Sequence, residues 1–151
     1  TRLVTFLRRP ADQPPVRFYE RLEPAVFVLR LVPGMRADII PLLAPHYRAL
    51  VLESFGVGGL PGGEHGEMFA ALRRWCESGR LAVFTTQVPH EGCDLAVYEV
   101  GRAVGELPGV LEARDMTPEA VAVKLMWALG QTEDREKAAR LFETPIEYDI
   151  M

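Results

Sequence analysis

The chain has 151 residues, 48% of them hydrophobic and 25% charged, a composition that fits one compact domain able to build a core without disulfides or metal. Its formal net charge of −4 argues against an electrostatic nucleic-acid footprint, which needs a basic face. No apolar run reaches the roughly 20 residues that span a bilayer, and no signal peptide is evident.

The first 24 residues differ from the rest. Leu3 to Leu7 reads as a short strand, and Pro10, Pro14 and Pro15 then favour extended backbone, so residues 1–24 are expected to form an arm or linker leading into a domain over 25–151. The chain begins at Thr1, so a preceding segment is expected. Arg8-Arg9 and Arg73-Arg74 are the basic pairs, and both read as solvated faces.

From Ala25 the pattern alternates. Ala25–Val32 is β-branched and apolar and ends in Pro33-Gly34, a turn signal. A short helix over Arg36–Ala44 is predicted, interrupted at Pro41. Ala49–Phe55 forms a second strand, closed by the glycine-rich Gly56–Gly66 loop. Met68, Phe69, Leu72, Trp75 and Cys76 then fall on one stripe of a helix, with Gly79 at its C′ position. Leu81–Gln87 is a third strand. Asp94 is expected to cap a helix running to about Leu107 and burying Leu95, Tyr98, Val104 and Leu107.

Gly109–Arg114 reads as a short fourth strand. Thr117 as N-cap, Pro118 at N1 and Glu119 in the first turn open the next helix. That helix is apolar on almost every side from Ala120 to Leu129, Lys124 excepted, which predicts a sandwiched or interfacial position, and Gly130 is expected to end it. A last amphipathic helix covers Glu133–Glu143. Alternating strands and helices imply parallel pairing and right-handed crossovers. The fold class expected is α/β: an open parallel sheet of about four strands, Rossmann-like or flavodoxin-like, with helices on both faces and a proline-rich arm in front.

Ligands in such sheets sit beyond the carboxyl ends of the strands, where the loops after Gly34, over Gly56–Gly66 and over Val88–Asp94 belong. The glycine loop does not carry a dinucleotide fingerprint. Gly56 and Gly58 match its first two glycines, but the third position is Pro61, and the next strand ends in Thr85-Thr86-Gln87 without an acidic ribose partner. A P-loop lysine is replaced by Glu64. The residues read most simply as a tight turn. His46, His65 and His90 have no metal-ligand spacing, Cys76 and Cys93 form neither a CxxC pair nor a disulfide framework, and no cofactor or metal is expected. Thr1 has the amine that activates N-terminal threonine nucleophiles, but no glycine turn stands beside it.

Three stretches, VLESFGVGGLP, LAVFTTQVPHEGCDLAVYEVGRAV and GVLEARDMTPEAVAVKLMWALGQT, resemble in order and spacing the C-terminal domain of L-asparaginases, most closely the bacterial cytoplasmic and archaeal branch, over roughly Ala25–Phe142. The resemblance implies an amidohydrolase that converts asparagine to aspartate and ammonia, built from two α/β domains, cytoplasmic and assembled as a dimer or tetramer. In that family the threonine nucleophile and its partners belong to the N-terminal domain. The resemblance therefore places no catalytic residue here and makes that domain the first partner, while the acidic charge and the lack of a long apolar run argue against nucleic acid and membrane as partners. Thr86, Asp94, Tyr98 and Lys124 have catalytic residue types but read as packing and local hydrogen bonding.

Some members place a substrate-touching asparagine after the Gly-Val-Gly turn. Gly59 or Pro61 stands there instead, leaving the backbone of Gly58 and Gly59 as the substrate-proximal candidates. Secreted members carry a glutamate near Gly92, and Glu91 is out of register with it. Some cytoplasmic members bind a regulatory asparagine through a threonine, a cysteine and an arginine. Thr86, with Gln87, matches the threonine motif, but Val88 and Glu53 occupy the other positions. An acid in place of an arginine repels a carboxylate, so the regulatory site is expected to be lost. Two alternatives stand beside this reading: the asparaginase-like subunit of the archaeal glutamyl-tRNA amidotransferase, and a stand-alone Rossmann-like sensing or interaction module.

Overall fold

A computed structural model describes residues 15–56, 58–88, 92–97, 99–146 and 149–150. The expectations for Thr1, Leu3–Leu7, Arg8-Arg9, Pro10, Pro14, His90, Glu91 and Tyr98 fall outside these residues.

Four strands, β1 (Val26–Arg30), β2 (Ala49–Ser54), β3 (Leu81–Thr86) and β4 (Val110–Glu112), pair in parallel in the order β1-β2-β3-β4. The order never reverses, and the helices between strands all pack on one face of the sheet. These are α1 (Ile39–Leu43), α2 (Glu67–Glu77) and α3 (Glu99–Gly105). The other face is covered by α4 (Pro118–Gln131) and α5 (Arg135–Glu143). The alternation of side chains along a strand divides the core accordingly. Leu50, Leu52, Ala82 and Phe84 pack with Ile40, Leu72, Trp75 and Val104. Ala49, Val51, Leu81 and Val83 pack with Val121, Leu125, Ala128 and Phe142. Both faces of β2 and β3 are therefore apolar, which is why these strands read as unbroken hydrophobic runs.

Several local expectations are revised. Pro41 does not interrupt its helix: it sits in the first turn of α1, where its missing N–H has no helical acceptor to lose. Asp94 does not cap α3. Its Oδ1 accepts the Ala96 N–H at 2.9 Å in an Asx turn, and the helix starts only at Glu99. Leu95 and Val104 are buried as expected, whereas Leu107 is half-buried. Gly101 is not merely a weak helix residue, since a Cβ there would stand 2.4 Å from the Leu95 carbonyl oxygen. The helix of the Met68–Cys76 stripe ends as anticipated, with Gly79 at φ 87°.

Gly130 does not end α4, which continues to Gln131. A Cβ at Gly130 would lie 2.6 Å from Arg21 O, so glycine lets the 15–24 segment cross the helix. That segment carries no regular element. It is fastened by Glu23 N–H to Met126 O (2.9 Å), by Gln131 Nε2 to Arg21 O (2.9 Å) and by an edge-to-face contact of Tyr19 with Trp127. Within α4, Val121, Leu125, Ala128 and Leu129 are buried against the sheet while apolar Val123 is exposed, and buried Lys124 turns towards the C-terminal segment.

Candidate functional site

The carboxyl rim of the sheet gathers the ends of β1, β2 and β3. Three consecutive polar residues of β3 and its exit bind this rim together. Thr86 Oγ1 donates to Gly56 O and accepts from the Val88 N–H at 3.0 Å, joining the loops that leave β2 and β3. Gln87 Nε2 donates to Leu31 O at 2.7 Å and to Glu53 O at 2.8 Å, tying β1 to β2 beyond their last ladder bonds. Ser54 Oγ, fully buried, donates to Thr85 O at 2.9 Å. The Thr85 hydroxyl is only 1% exposed and has no partner among the described residues.

The glycine loop folds back on itself. Gly58 N–H and Gly59 N–H both donate to Phe55 O, at 3.1 and 2.8 Å, and Phe55 N–H donates to Gly59 O. A phosphate cradle needs N–H groups aimed outward, and these two point into their own turn. Gly56, Gly62 and Gly63 have positive φ, as a tight turn requires. Gly58 is buried against Leu95, whose Cδ2 would lie 2.8 Å from a Cβ there.

Beside these fasteners lies a cleft of about 350 Å³, lined among others by Arg30, Glu53, Thr86, Gln87, Asp115 and Glu119. Arg30 and Glu53 are register partners across β1 and β2, and their side chains approach to 3.6 Å. The charged residues lining the cleft are thus one arginine and three carboxylates. The sequence does not mark Arg30 or Asp115 as site residues, and it marks Glu119 only as a first-turn helix residue. The register that sets Arg30 against Glu53 could have flagged the first, but register is a long-range property. Asp115 and Glu119 arrive there through the turn from β4 into α4, whose N-cap Thr117 accepts the Ala120 N–H at 3.4 Å.

The remaining candidate groups lie apart from one another. Asp94 is used in its own turn. Lys124 Nζ donates to Thr144 O at 2.9 Å and pairs with Asp149. Burial first, then the nearby Glu112 and Asp94 charges, pushes the Cys93 thiol up to about 12. Burial likewise raises Cys76 to about 12. Neither thiol is a nucleophile at neutral pH. Burial and the Asp94 charge also raise Glu112 above the usual carboxylate range. Among the described residues no group of three or more His, Cys, Asp or Glu side chains could hold a metal ion.

The comparisons with known proteins agree with this architecture. The glutaminase/asparaginase C-terminal domain family matches residues 25–142. An L-asparaginase of Thermococcus kodakarensis is 38% identical over 133 residues, 88% of this chain and 40% of the relative. A glutamyl-tRNA(Gln) amidotransferase subunit from Metallosphaera sedula is 35% identical over 130 residues, 85% of this chain and 28% of the relative. The solved structure of the thermostable L-asparaginase from T. kodakarensis superimposes with a TM-score of 0.79 at 35% identity, covering 93% of this chain and 44% of that one. The chain thus spans well under half the length of the relatives it matches. Because the glutaminase/asparaginase C-terminal domain match spans residues 25–142 and takes in all four strands of the parallel sheet, the chain belongs to the glutaminase/asparaginase family through its C-terminal domain.

Proposed function

We propose that this chain is the C-terminal half of a cytoplasmic L-asparaginase, inactive alone, that completes subunit assembly and closes the active site of a neighbouring subunit. One observation carries the reading. At the carboxyl rim the Ser54 and Thr86 hydroxyls and the Gln87 amide are committed to holding strand ends together, and among the described residues none of the three donates to a side-chain base as an attacking hydroxyl must. Chemistry then falls to the N-terminal domain, and the contribution of this half is architectural. Gly58 and Gly59 remain the substrate-proximal candidates. Because their N–H groups are engaged by Phe55 O, their role is to shape the loop that meets substrate. Assembly into a dimer or tetramer is supported by exposed apolar side chains on the arm and α4, including Val16, Phe18, Leu22 and Val123.

The test is ammonia release from asparagine by the full-length product and by this chain. Activity confined to the full-length protein supports the proposal, and turnover by the chain alone overturns it. Sedimentation of the chain over a wide concentration range reads the assembly surface, and a monodisperse monomer throughout would count against it.

A second reading is favoured by the amidotransferase relatives, similar to this chain at nearly the same level. In it, the full-length protein would be the asparaginase-like subunit of a tRNA-dependent amidotransferase. Ammonia release that requires a glutamyl-tRNA-binding partner selects this reading, and release from free asparagine without one selects the first.

A further inference from the structure

The opposite rim of the sheet, where β2 and β3 begin, holds a second cleft of about 340 Å³. It is lined by the Pro45–Arg48 turn, the Gly79–Leu81 turn and the α4–α5 corner with Glu133 and Arg135. Three half-buried arginines, Arg48, Arg80 and Arg135, share this cleft with exposed His46.

Their partners differ in a way that matters. Arg80 is held on three sides: Nη2 donates to Ala44 O at 2.8 Å, Nε to Tyr47 O at 3.3 Å and Nη1 to Ser78 Oγ at 2.5 Å. Its guanidinium also lies 5.1 Å from the Trp75 ring centroid. Arg135 Nη1 donates to Cys76 O at 3.1 Å. All these acceptors are neutral, and neither Arg80 nor Arg135 is paired with a carboxylate among the described residues. Arg48 alone is ion-paired, to Glu23 at 3.0 Å and to Glu133 at 2.8 Å, and the Glu133 side chain is 90% exposed and free to swing away.

This cleft therefore concentrates positive charge on a chain whose net charge is −4. A guanidinium fixed by carbonyls keeps unused N–H donors and loses little conformational entropy when an anion arrives. Several such forks around one cavity match an anion of multiple charge whose oxygens accept from more than one direction, the pattern of phosphoryl groups.

We propose that this cleft binds a small phosphate-bearing anion, its phosphoryl oxygens accepting from Arg80 and Arg135 while Arg48 exchanges Glu133 for the ligand. The site lies at the other end of the strands from the cleft of Thr86 and Gln87. It does not depend on the asparaginase reading. The size of the cavity and the acidity of the chain as a whole favour a free small anion over a nucleic-acid backbone.

The experiment is a titration of the 151-residue chain with pyrophosphate, followed by amide shifts and by the rise in melting temperature that a native-state ligand produces. ADP serves as a second arm: equal affinity assigns recognition to phosphate alone, and tighter binding adds a seat for the nucleoside. Saturable shifts centred on Gly79, Arg80 and Arg135 are expected, weakening as salt is raised. Arg135→Gln should weaken binding about tenfold. Glu133→Gln should tighten it about threefold, since it removes a competing exposed carboxylate. The surface position of Glu133 keeps the test alive if the Arg135 variant does not fold. Absence of saturation, unchanged affinity in both variants, or tighter binding of a short RNA duplex than of pyrophosphate would overturn the proposal.

Discussion

The ε-ammonium of Lys124 in α4 lies 2.7 Å from the carboxylate of Asp149, beyond α5, and its side chain is only 5% exposed. The same nitrogen donates to Thr144 O and stands 5.8 Å from the centroid of Phe142. A charge taken out of water is retained only with such partners. The pair thus pins the C-terminal segment against α4, with Ile150 buried in the same core.

Removing the anion should be worse than removing the cation, because the ammonium is buried whereas the carboxylate is partly solvated. Asp149→Asn leaves a buried ammonium without its counter-ion and should lower unfolding stability by about 2 kcal/mol, below the range for fully buried pairs because Asp149 is partly solvated. Lys124→Met keeps an apolar stem in α4 and leaves an Asp149 carboxylate that is partly solvated and still accepts the Ile146 N–H, so the loss should stay within about 1 kcal/mol. Urea denaturation of both variants checks the order, and the reverse order would show that the ion pair is not what holds the segment.

Gly130→Ala separates two explanations of a helical glycine. If Gly130 were only a poor helix former, alanine would stabilise by up to about 1 kcal/mol. A methyl group 2.6 Å from Arg21 O instead forces the arm away from α4. The expected outcome is a loss of about 1–3 kcal/mol, with a change in Trp127 fluorescence as Tyr19 is displaced.

Adjacent threonines at the end of β3 should respond in opposite directions. The buried Thr85 hydroxyl lacks a partner among the described residues, so Thr85→Val should be neutral or stabilising by up to about 1 kcal/mol. Thr86→Val removes the donor to Gly56 O and the acceptor for the Val88 N–H and should cost about 1–2 kcal/mol. Thermal melts of the two variants decide it.

Both thiols are raised to about 12 by burial, so the fold favours their neutral form. An unfolded cysteine ionises near pH 8.5. The unfolded state therefore binds fewer protons than the native state above that pH, and stability falls as pH rises. The contribution is fully present below about pH 8.5 and is lost between there and about pH 12. Denaturation midpoints measured from pH 7 to 11 should decline. Iodoacetamide at pH 8 should label Cys76 and Cys93 only after denaturant is added, and rapid native labelling would contradict their burial.

The cleft beside Thr86 and Gln87 should not take up asparagine. Arg30 is engaged by Glu53, and Glu119 adds a further carboxylate to the cleft, which disfavours the carboxylate of an amino acid. Amide resonances of Thr86, Gln87 and Val88 should stay in place as asparagine is added, and a saturable shift there would restore the regulatory site.

Local chemistry determined much of this protein from sequence alone. The Val-rich strands, the Met68–Cys76 stripe, Gly79 at a helix end and the Thr117-Pro118-Glu119 opening of α4 each depend on neighbours within a few residues, so their signals lie in short windows. The parallel sheet followed from their alternation, and the order and spacing of three short stretches carried the family. What the sequence left open is set by contacts between distant segments. Gly130 looked like a stop signal, but the crossing of residues 21–22 over α4 decides its role. Lys124 looked like a flaw in an apolar helix until Thr144 and Asp149 came within reach. Arg30 meets Glu53 only because β1 and β2 pair in one register, and Arg48, Arg80 and Arg135 share a cleft only because three loops end at the same rim. Periodicity records which side of an element is buried, whereas these relationships depend on how the elements are placed against one another, which only the folded chain specifies.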